Sequence, residues 1–580
     1  MSKTQELFST KLTASNTFFN SLLVMVHPLL PKTVNAMSPN FNNPNRREFI
    51  AIAGAGLGAL ALRGYAAIDD LAAHFSHGVA SGDPLTDRVI LWTRVLPGSG
   101  NDEVLKVNWQ VATDENFATV VSQGNTTTQA QQDYTVKVDA AGLQPGRQYY
   151  YRFICNAQTS PTGTTRTLPA DNVDSINLAV VSCSNYPQGF FHVYNEIAQR
   201  PVDAVLHLGD YIYEYAEGVY ADPAIIAKGR GVEPSHEIVA LEDYRMRYGL
   251  YRTDKNLQAV HRAHPFICVW DDHEIADNTW KTGAVNHNPG EGLFSARRQA
   301  AIQAFYEWLP IREPSHGDRD RIYRRFDFGK LASLILLDTR LIGRDEQLTH
   351  ALDVDTLKTE LANPKRSILG VEQEQWLTTQ LQQSKQQNIP WQIIGQQVLI
   401  GKLGIPQIAD DQLDATQSEM VASGRYAMLR ERGKQGLLLN LDAWDGYPEC
   451  RKRVYQAFRE HGNNVIVLAG DTHSSWAFEL SDEDNSKPLA VEYGTPSITS
   501  PGFENLLPVN TATLEQATKD VSPELKYFDA AGRGWMEVAV DHSQCTTRFY
   551  YVSSVKTESY AVADGPKLVT KLNEHSIGQG

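Results

Sequence analysis

Four short apolar runs in this chain each end in residues that can bind a metal or move a proton. Residues 176–181, INLAVV, run into Ser182-Cys183. Residues 202–208, VDAVLHL, run into Gly209-Asp210, with Tyr213 just beyond. Residues 267–270, ICVW, lead to Asp271-Asp272-His273-Glu274, and residues 463–470, NNVIVLAG, lead to Asp471-Thr472-His473-Ser474. A buried β-run closing on polar residues is how open α/β sheets present ligands at the carboxyl ends of their strands. Aspartates that merely cap helices, and histidines that merely sit in loops, are the plain alternative. A thiol, carboxylates, a phenol and two imidazoles on successive strand ends point instead to a metal centre.

The elements that must hold these groups are legible in outline. Residues 75–170 read as short alternating strands between Gly, Pro and Asn turns, among them RVILWTRV and YTVKVDAAGLQPGRQYYYRFIC, which predicts a small β-sandwich similar to fibronectin-type modules. From residue 171 onward apolar runs alternate with helical patterns, over 190–199, 242–260, 295–308 and 371–388. The stretch YRRFDFGKLASLILLDTR predicts a hairpin, PWQIIGQQVLI a further strand, and residues 532–554 a closing hairpin. Residues 215–242 predict an excursion beside the site, and residues 404–446, with Asp442 and Asp445 near their end, a rim or lid. The expected organisation is a leader over 1–73, a β-sandwich over 74–170, the main domain over 171–560 and a polar tail over 561–580.

At 580 residues with 42% hydrophobic content, the chain can bury an extensive core. Its net charge of −15 argues against a nucleic-acid-binding surface, which needs clustered Lys and Arg. It does not exclude phosphorylated substrates, because a metal centre supplies positive charge locally. The five cysteines, Cys155, Cys183, Cys268, Cys450 and Cys545, show no CxxC or zinc-finger spacing and leave room for one disulfide. Near the start, Arg46-Arg47 precedes the short Gly/Ala-rich run AIAGAGLGALAL, a pattern resembling a twin-arginine export signal. The run is too short to span a membrane, so the mature protein is expected to carry no membrane span. The long stretch before the arginines suggests Met37 as the start, with the mature chain beginning between Ile68 and His74.

Taken together, VASGDP, SCSNY, GDYIYEY, WDDHE, LDTR and GDTHSS resemble the PhoD-like alkaline phosphatase/phosphodiesterase branch of the binuclear metallophosphoesterase superfamily. The resemblance runs from about Phe75 to the last fifth of the chain. It implies an α/β fold: a metallophosphoesterase-type two-sheet sandwich flanked by helices, after the small fibronectin-like β-sandwich. It also implies a binuclear Fe(III)–Ca(II) centre activating a bridging hydroxide to hydrolyse phosphate mono- or diesters. Cys183, Asp272 and Asp471 stand where other superfamily members carry Asp, Asn and His, as they do in this branch.

On that resemblance Asp210 bridges the two metals. Cys183, Asp210, Tyr213 and His473 surround Fe(III), for which thiolate and phenolate are strong anionic donors. Asp210, Asp272 and Asp471 form an oxygen-rich set suited to Ca(II). Asn278 is preferred over Gln396 or Gln397 as a further ligand, and Asp271 is expected to point away from the metal, into a supporting or structural role. His273 occupies the catalytic histidine position, binding a phosphate oxygen or protonating the leaving group, with Glu274 as its orienting partner or a cap. Asn185 and Tyr186 are placed to contact substrate. Arg262 is the first candidate for clamping phosphate, ahead of Arg340 and His264.

The whole is therefore expected to be a metal-dependent phosphoric ester hydrolase, exported by the twin-arginine machinery to the periplasm or medium. A phospholipase D-like or polymer-directed phosphodiesterase on the same fold is the alternative. From another class comes an exported metal-binding or adhesive protein; it is disfavoured because every ligand position holds a competent side chain. A serine hydrolase is excluded by the lack of a GxSxG elbow, since Ser474 has no visible activating partner.

Overall fold

The computed structural model describes residues 74–98, 104–314, 317–413, 418–482 and 487–580. The expected leader, with Arg46-Arg47, lies outside the described residues. Two large mixed sheets face each other across the main core. The first has ten strands. Its centre is a parallel run of Ser175–Val181, Ala204–His207, Pro265–Cys268 and Val79–Gly82. On one side follow the antiparallel strands Arg88–Arg94 and Thr135–Ala141; on the other, Arg533–Asp541, Gln544–Val552, Val562–Lys571 and Gly578–Gln579. The second sheet has seven strands, ordered Arg324–Phe328, Ala332–Leu336, Trp391–Gly395, Val465–Ala469, Pro488–Gly494, Ser475–Ser481 and Leu525–Asp529.

Strand periodicity explains why the sheets stack. Leu334, Leu336, Ile393, Ile466 and Leu468 join the core shared with Leu178, Val180, Val205 and Phe266 of the first sheet. The alternate residues Ile335, Ile394, Val465 and Val467 pack with Leu377, Leu381, Val454 and Phe458 from helices Gly370–Gln386 and Pro448–His461. A strand buried on both faces must be apolar at consecutive positions, which is why these segments read as unbroken apolar runs. Helices His192–Ala198 and Lys255–Ala263 place Val193, Ile197, Leu257 and Val260 in the first sheet's core. The single helix expected over 242–260 is two, Leu241–Arg252 and Lys255–Ala263. Asp254 breaks it by capping the second, accepting the backbone N–H groups of Asn256 at 2.9 Å and Leu257 at 3.1 Å.

The N-terminal β-rich region is present, but only one of its layers is its own. Leu105–Ala112, Val120–Thr128, Gln148–Cys155, Gln158–Thr159 and Gly163–Arg166 form a separate five-stranded sheet. The other layer is the end of the ten-stranded sheet: Val79 and Leu91 face the N-terminal core while Ala80 and Trp92 face the main core. The short strands predicted there are real, but Val79–Gly82 is the parallel neighbour of Pro265–Cys268, a long-range pairing that local pattern does not reveal.

The expected polar tail is corrected. Val562–Lys571 pairs between Gln544–Val552 and the short outermost strand Gly578–Gln579, with Leu568 and Thr570 buried; the segment reads as polar because its remaining residues are exposed or half-buried near the sheet's edge. All five cysteines are buried and free, so no disulfide forms. Among the described residues no helix is long and apolar enough to cross a membrane.

Candidate metal centre

The carboxyl ends of the parallel strands of both sheets converge. Backbone bonds tie the loops together: Cys183 N–H donates to Gly209 O at 3.1 Å and Ser184 N–H to Asp210 O at 2.9 Å. Ser182 forms a parallel bridge with Ser497, which follows the second-sheet strand Pro488–Gly494. Gly209 has a φ of 107°, and a Cβ there would lie 2.4 Å from the Cβ of Asp271, so only glycine lets these two strand ends approach. Glu274 stitches the same ends, accepting the backbone N–H groups of Asp210 at 3.0 Å, Tyr211 at 2.6 Å and Asp271 at 2.8 Å. Five expected ligands adopt left-handed backbone: Cys183, Asp210, Asn278, Asp471 and His473, with φ between 52° and 64°. Non-glycine residues rarely pay this conformational cost outside sites that need a particular side-chain direction.

Cys183, Asp210 and His473 bring one donor atom each to within 4.8 Å of one another, all buried. Tyr213 completes the group: its hydroxyl donates to Asp210 Oδ2 at 3.0 Å and lies 3.3 Å from His473 Nε2 and 2.7 Å from Ser500 Oγ. His473 Nδ1 donates to Pro501 O at 2.8 Å, which fixes the tautomer and turns Nε2 toward the cluster. Asp210, Asp272 and His273 form a second such group, and Asp271, Asp272 and Asp471 a third. Asp210 belongs to two of the three, and its Oδ1 is buried without a hydrogen-bond partner. Asn278 lies at the second group, its backbone N–H donating to Asp272 Oδ2 at 2.6 Å.

The electrostatics fit a bound cation. Burial, then the charge of Asp210, push the Cys183 thiol and the Tyr213 phenol well above their ordinary ranges. Burial first, opposed by Arg340 and reinforced by Asp442 and Asp272, lifts Asp471 to about 7. So many acidic donors gathered in a largely buried cluster disfavour one another's ionisation, and a multiply charged ion reverses that penalty.

His273 sits beside this cluster, its ring 4.3 Å from that of Tyr213 and 5.3 Å from that of Tyr215. Burial opposes its charged form, but Asp272, Glu214 and Asp210 outweigh it and hold the imidazole well above its usual pKa. Its orienting partner is Glu214, which accepts from His273 Nδ1 at 2.7 Å; Glu274 is occupied with backbone. Glu214 is itself held by Asp277 N–H and Asn286 Nδ2, each at 2.8 Å.

Other expectations are corrected. Asp271 turns toward Asp272 and Asp471 rather than away, while its bond to Arg340 is a supporting contact of the kind expected. Gln397 is no ligand, since Oε1 accepts from Thr339 and Nε2 donates to Leu337 O. Arg262 is exposed, and its charge acts on Tyr151 of the N-terminal region. His264 is tied to Ile197 O, and Tyr186 packs against Phe191 and Tyr251. The arginine brought to the site is Arg340, bound to carboxylates. Asn185 is buried beside Cys183; its Nδ2 holds Tyr220 O at 3.0 Å and its Oδ1 has no partner. Residues 404–446 form helices Glu419–Ala422 and Arg425–Lys434, and their end is no surface rim, since Asp442 is buried against Arg340 and Arg344. Sequence reasoning missed Glu214, Asn286 and Ser500. Glu214 lies one residue past Tyr213, a signal available in GDYIYEY, whereas Ser500 is brought in only by the fold.

A cavity of about 560 Å³ begins at Tyr220, whose ring lies 5.7 Å from that of Tyr213, and continues past Thr499, Pro501, Arg533 and Lys556.

Fold and site together define a class: a two-sheet α/β sandwich with side chains that could hold metal ions clustered at its strand ends. Comparison with known proteins makes this specific. The PhoD-like phosphatase family model matches residues 178–549, and the model of the PhoD-like phosphatase N-terminal domain matches residues 64–169. Alkaline phosphatase D of Bacillus subtilis (strain 168) is 36% identical over 565 residues, covering 92% of this chain and 89% of that protein. A solved structure of PhoD superposes with a TM-score of 0.72 at 33% identity, covering 87% of this chain and 92% of that one. The chain belongs to the PhoD-like phosphatase family and is a phosphoric ester hydrolase.

Proposed function

We propose that the protein is an exported alkaline phosphatase/phosphodiesterase whose centre holds Fe(III) and Ca(II). The observation that carries this reading is Asp210. It is shared by the Cys183–Asp210–His473 group, where Tyr213 donates to its Oδ2, and by the Asp210–Asp272–His273 group, and it keeps one buried oxygen without a partner. Cys183, Asp210, Tyr213 and His473 would hold the iron; Asp210, Asp272, Asn278 and Asp471 would hold the calcium. Bound there, the pair supplies the Lewis acidity that activates water and neutralises phosphoryl oxygens. The chain's own part is to fix these donors and to place a proton. His273, oriented by Glu214 at Nδ1, donates from Nε2 to a phosphoryl oxygen or the departing alkoxide. Diesters are included because the cavity beyond Tyr220 gives a second ester arm room. The paired Arg46-Arg47 before a short apolar run supports export by the twin-arginine machinery to the periplasm or medium.

Two outcomes test the metal assignment. Purified protein is expected to be coloured, with a visible band that shifts or disappears in Cys183→Ser and Tyr213→Phe; unchanged spectra in both variants remove these residues from the iron shell. Chelation of calcium is expected to abolish phosphoester hydrolysis, and added calcium to restore it while the visible band stays. Hydrolysis that survives calcium removal contradicts the second assignment.

A further inference from the structure

We propose that Arg340 is a built-in cation of the centre: it keeps the carboxylates of the second metal position assembled when that position is empty, and it competes with the metal that enters. The inference rests on the metal-centre reading above. Arg340 is fully buried, and its guanidinium faces four carboxylates. Nε donates to Asp271, Nη1 to Asp442 at 2.8 Å and Nη2 to Asp471 at 2.8 Å, while Asp272 Oδ1 lies 3.7 Å from Nη2. Two of these four, Asp272 and Asp471, are among the residues assigned to the second metal. Asp442 comes from the insertion between the strands Trp391–Gly395 and Val465–Ala469, and Arg344 holds it in turn.

The arginine is itself locked in place. It follows Leu336 at the end of a second-sheet strand, and Asp338 accepts the backbone N–H groups of Arg340 at 2.8 Å, Leu341 at 2.9 Å and Ile342 at 3.0 Å. The fork therefore projects from a rigid turn into the acidic cluster and cannot swing out to bind substrate. Buried carboxylates left without a counter-charge are strongly destabilising, so the fork carries this load whenever no metal does. A metal reaching Asp272 and Asp471 meets the same guanidinium as a like charge and shares its oxygens.

The test uses the full-length, iron-loaded protein depleted of calcium. Calcium binding is followed by calorimetry and thermal unfolding by circular dichroism, for the wild type, Arg340→Gln and Arg340→Lys. Removing the positive charge is expected to tighten calcium binding about tenfold in Arg340→Gln. It is also expected to lower the melting temperature more without calcium than with it. Arg340→Lys keeps the charge and is expected to bind calcium within about threefold of the wild type. The visible band stays unchanged in both variants, because the iron donors do not touch Arg340. A structural role alone would lower both melting temperatures equally and leave calcium affinity where it was; that result overturns the inference, as does weaker binding in Arg340→Gln. Should Arg340→Gln fail to fold under either condition, Arg340→Lys decides by its melting temperature: a larger loss without calcium than with it, at calcium binding within about threefold of wild type, upholds the inference, and an equal loss under both conditions overturns it. Wild type that takes up no calcium overturns the metal-centre reading and this inference together, whereas wild type that binds calcium as Arg340→Gln does overturns the inference alone.

Discussion

Replacing Asp210 with alanine is expected to abolish hydrolysis and to empty both metal positions at once. The expectation follows from its place in the molecule. Asp210 is the member common to the Cys183–Asp210–His473 group and to the Asp210–Asp272 pair assigned to the second metal, and Tyr213 donates to its Oδ2. Loss of a partner outside the metal shell commonly costs roughly 10–100-fold in affinity or activity, so loss of a donor shared by two ions exceeds that. The variant should still fold, because the Asp210 backbone keeps its bonds to Glu274 and Ser184 and the deleted carboxylate relieves crowding among anions. Metal content, hydrolysis and circular dichroism on one preparation check this. A folded Asp210→Ala protein with normal metal and normal turnover contradicts the shared-ligand model.

The second large effect belongs to His273 and Glu214. His273→Ala is expected to lower kcat by about 10²–10⁴-fold while metal content stays near that of the wild type, the range typical of a lost general acid. Glu214→Gln is expected to give a smaller loss, about 10–100-fold, with a displaced pH profile. Its sign follows from the field at the imidazole. Burial depresses the His273 pKa, and Asp272, Glu214 and Asp210 together raise it well above the usual value. Removing one of those charges lowers it, so the basic limb of kcat, where His273 loses its proton, moves to lower pH. An unshifted limb in Glu214→Gln removes Glu214 from the proton-holding role, even if kcat falls.

The main strands and the ligand residues could be read from the sequence because each carries its own local signal. An apolar run that is buried on both faces ends abruptly in Cys, Asp or His, and residues 176–183, 202–210, 267–273 and 463–473 all follow that rule. The pairing of Val79–Gly82 with Pro265–Cys268 carries no such signal, since nothing local marks two segments so far apart as neighbours. For the same reason the N-terminal strands read as a self-contained sandwich although three of them extend the main sheet. Strict alternation carried past Cys268 predicts the wrong direction for Asp271, because the strand ends there and the loop turns both neighbouring aspartates inward. Arg340 is the arginine that the fold brings to the cluster, and it is engaged with carboxylates rather than free to clamp phosphate. Composition cannot distinguish an arginine exposed on a helix from one buried among four carboxylates. Glu214 was within reach, because an acid beside a ligand tyrosine could orient a nearby histidine. Glu274 looked better only because it is adjacent in sequence.

The metal pair is the central claim, and elemental analysis of the protein produced in its own host, read together with its visible spectrum, tests it most directly. About one iron per chain, calcium in the same preparation and a visible band that depends on Cys183 and Tyr213 are the predicted result. Zinc or manganese in place of iron and calcium, with no band, would contradict the assigned donors while leaving the family and the reaction class standing.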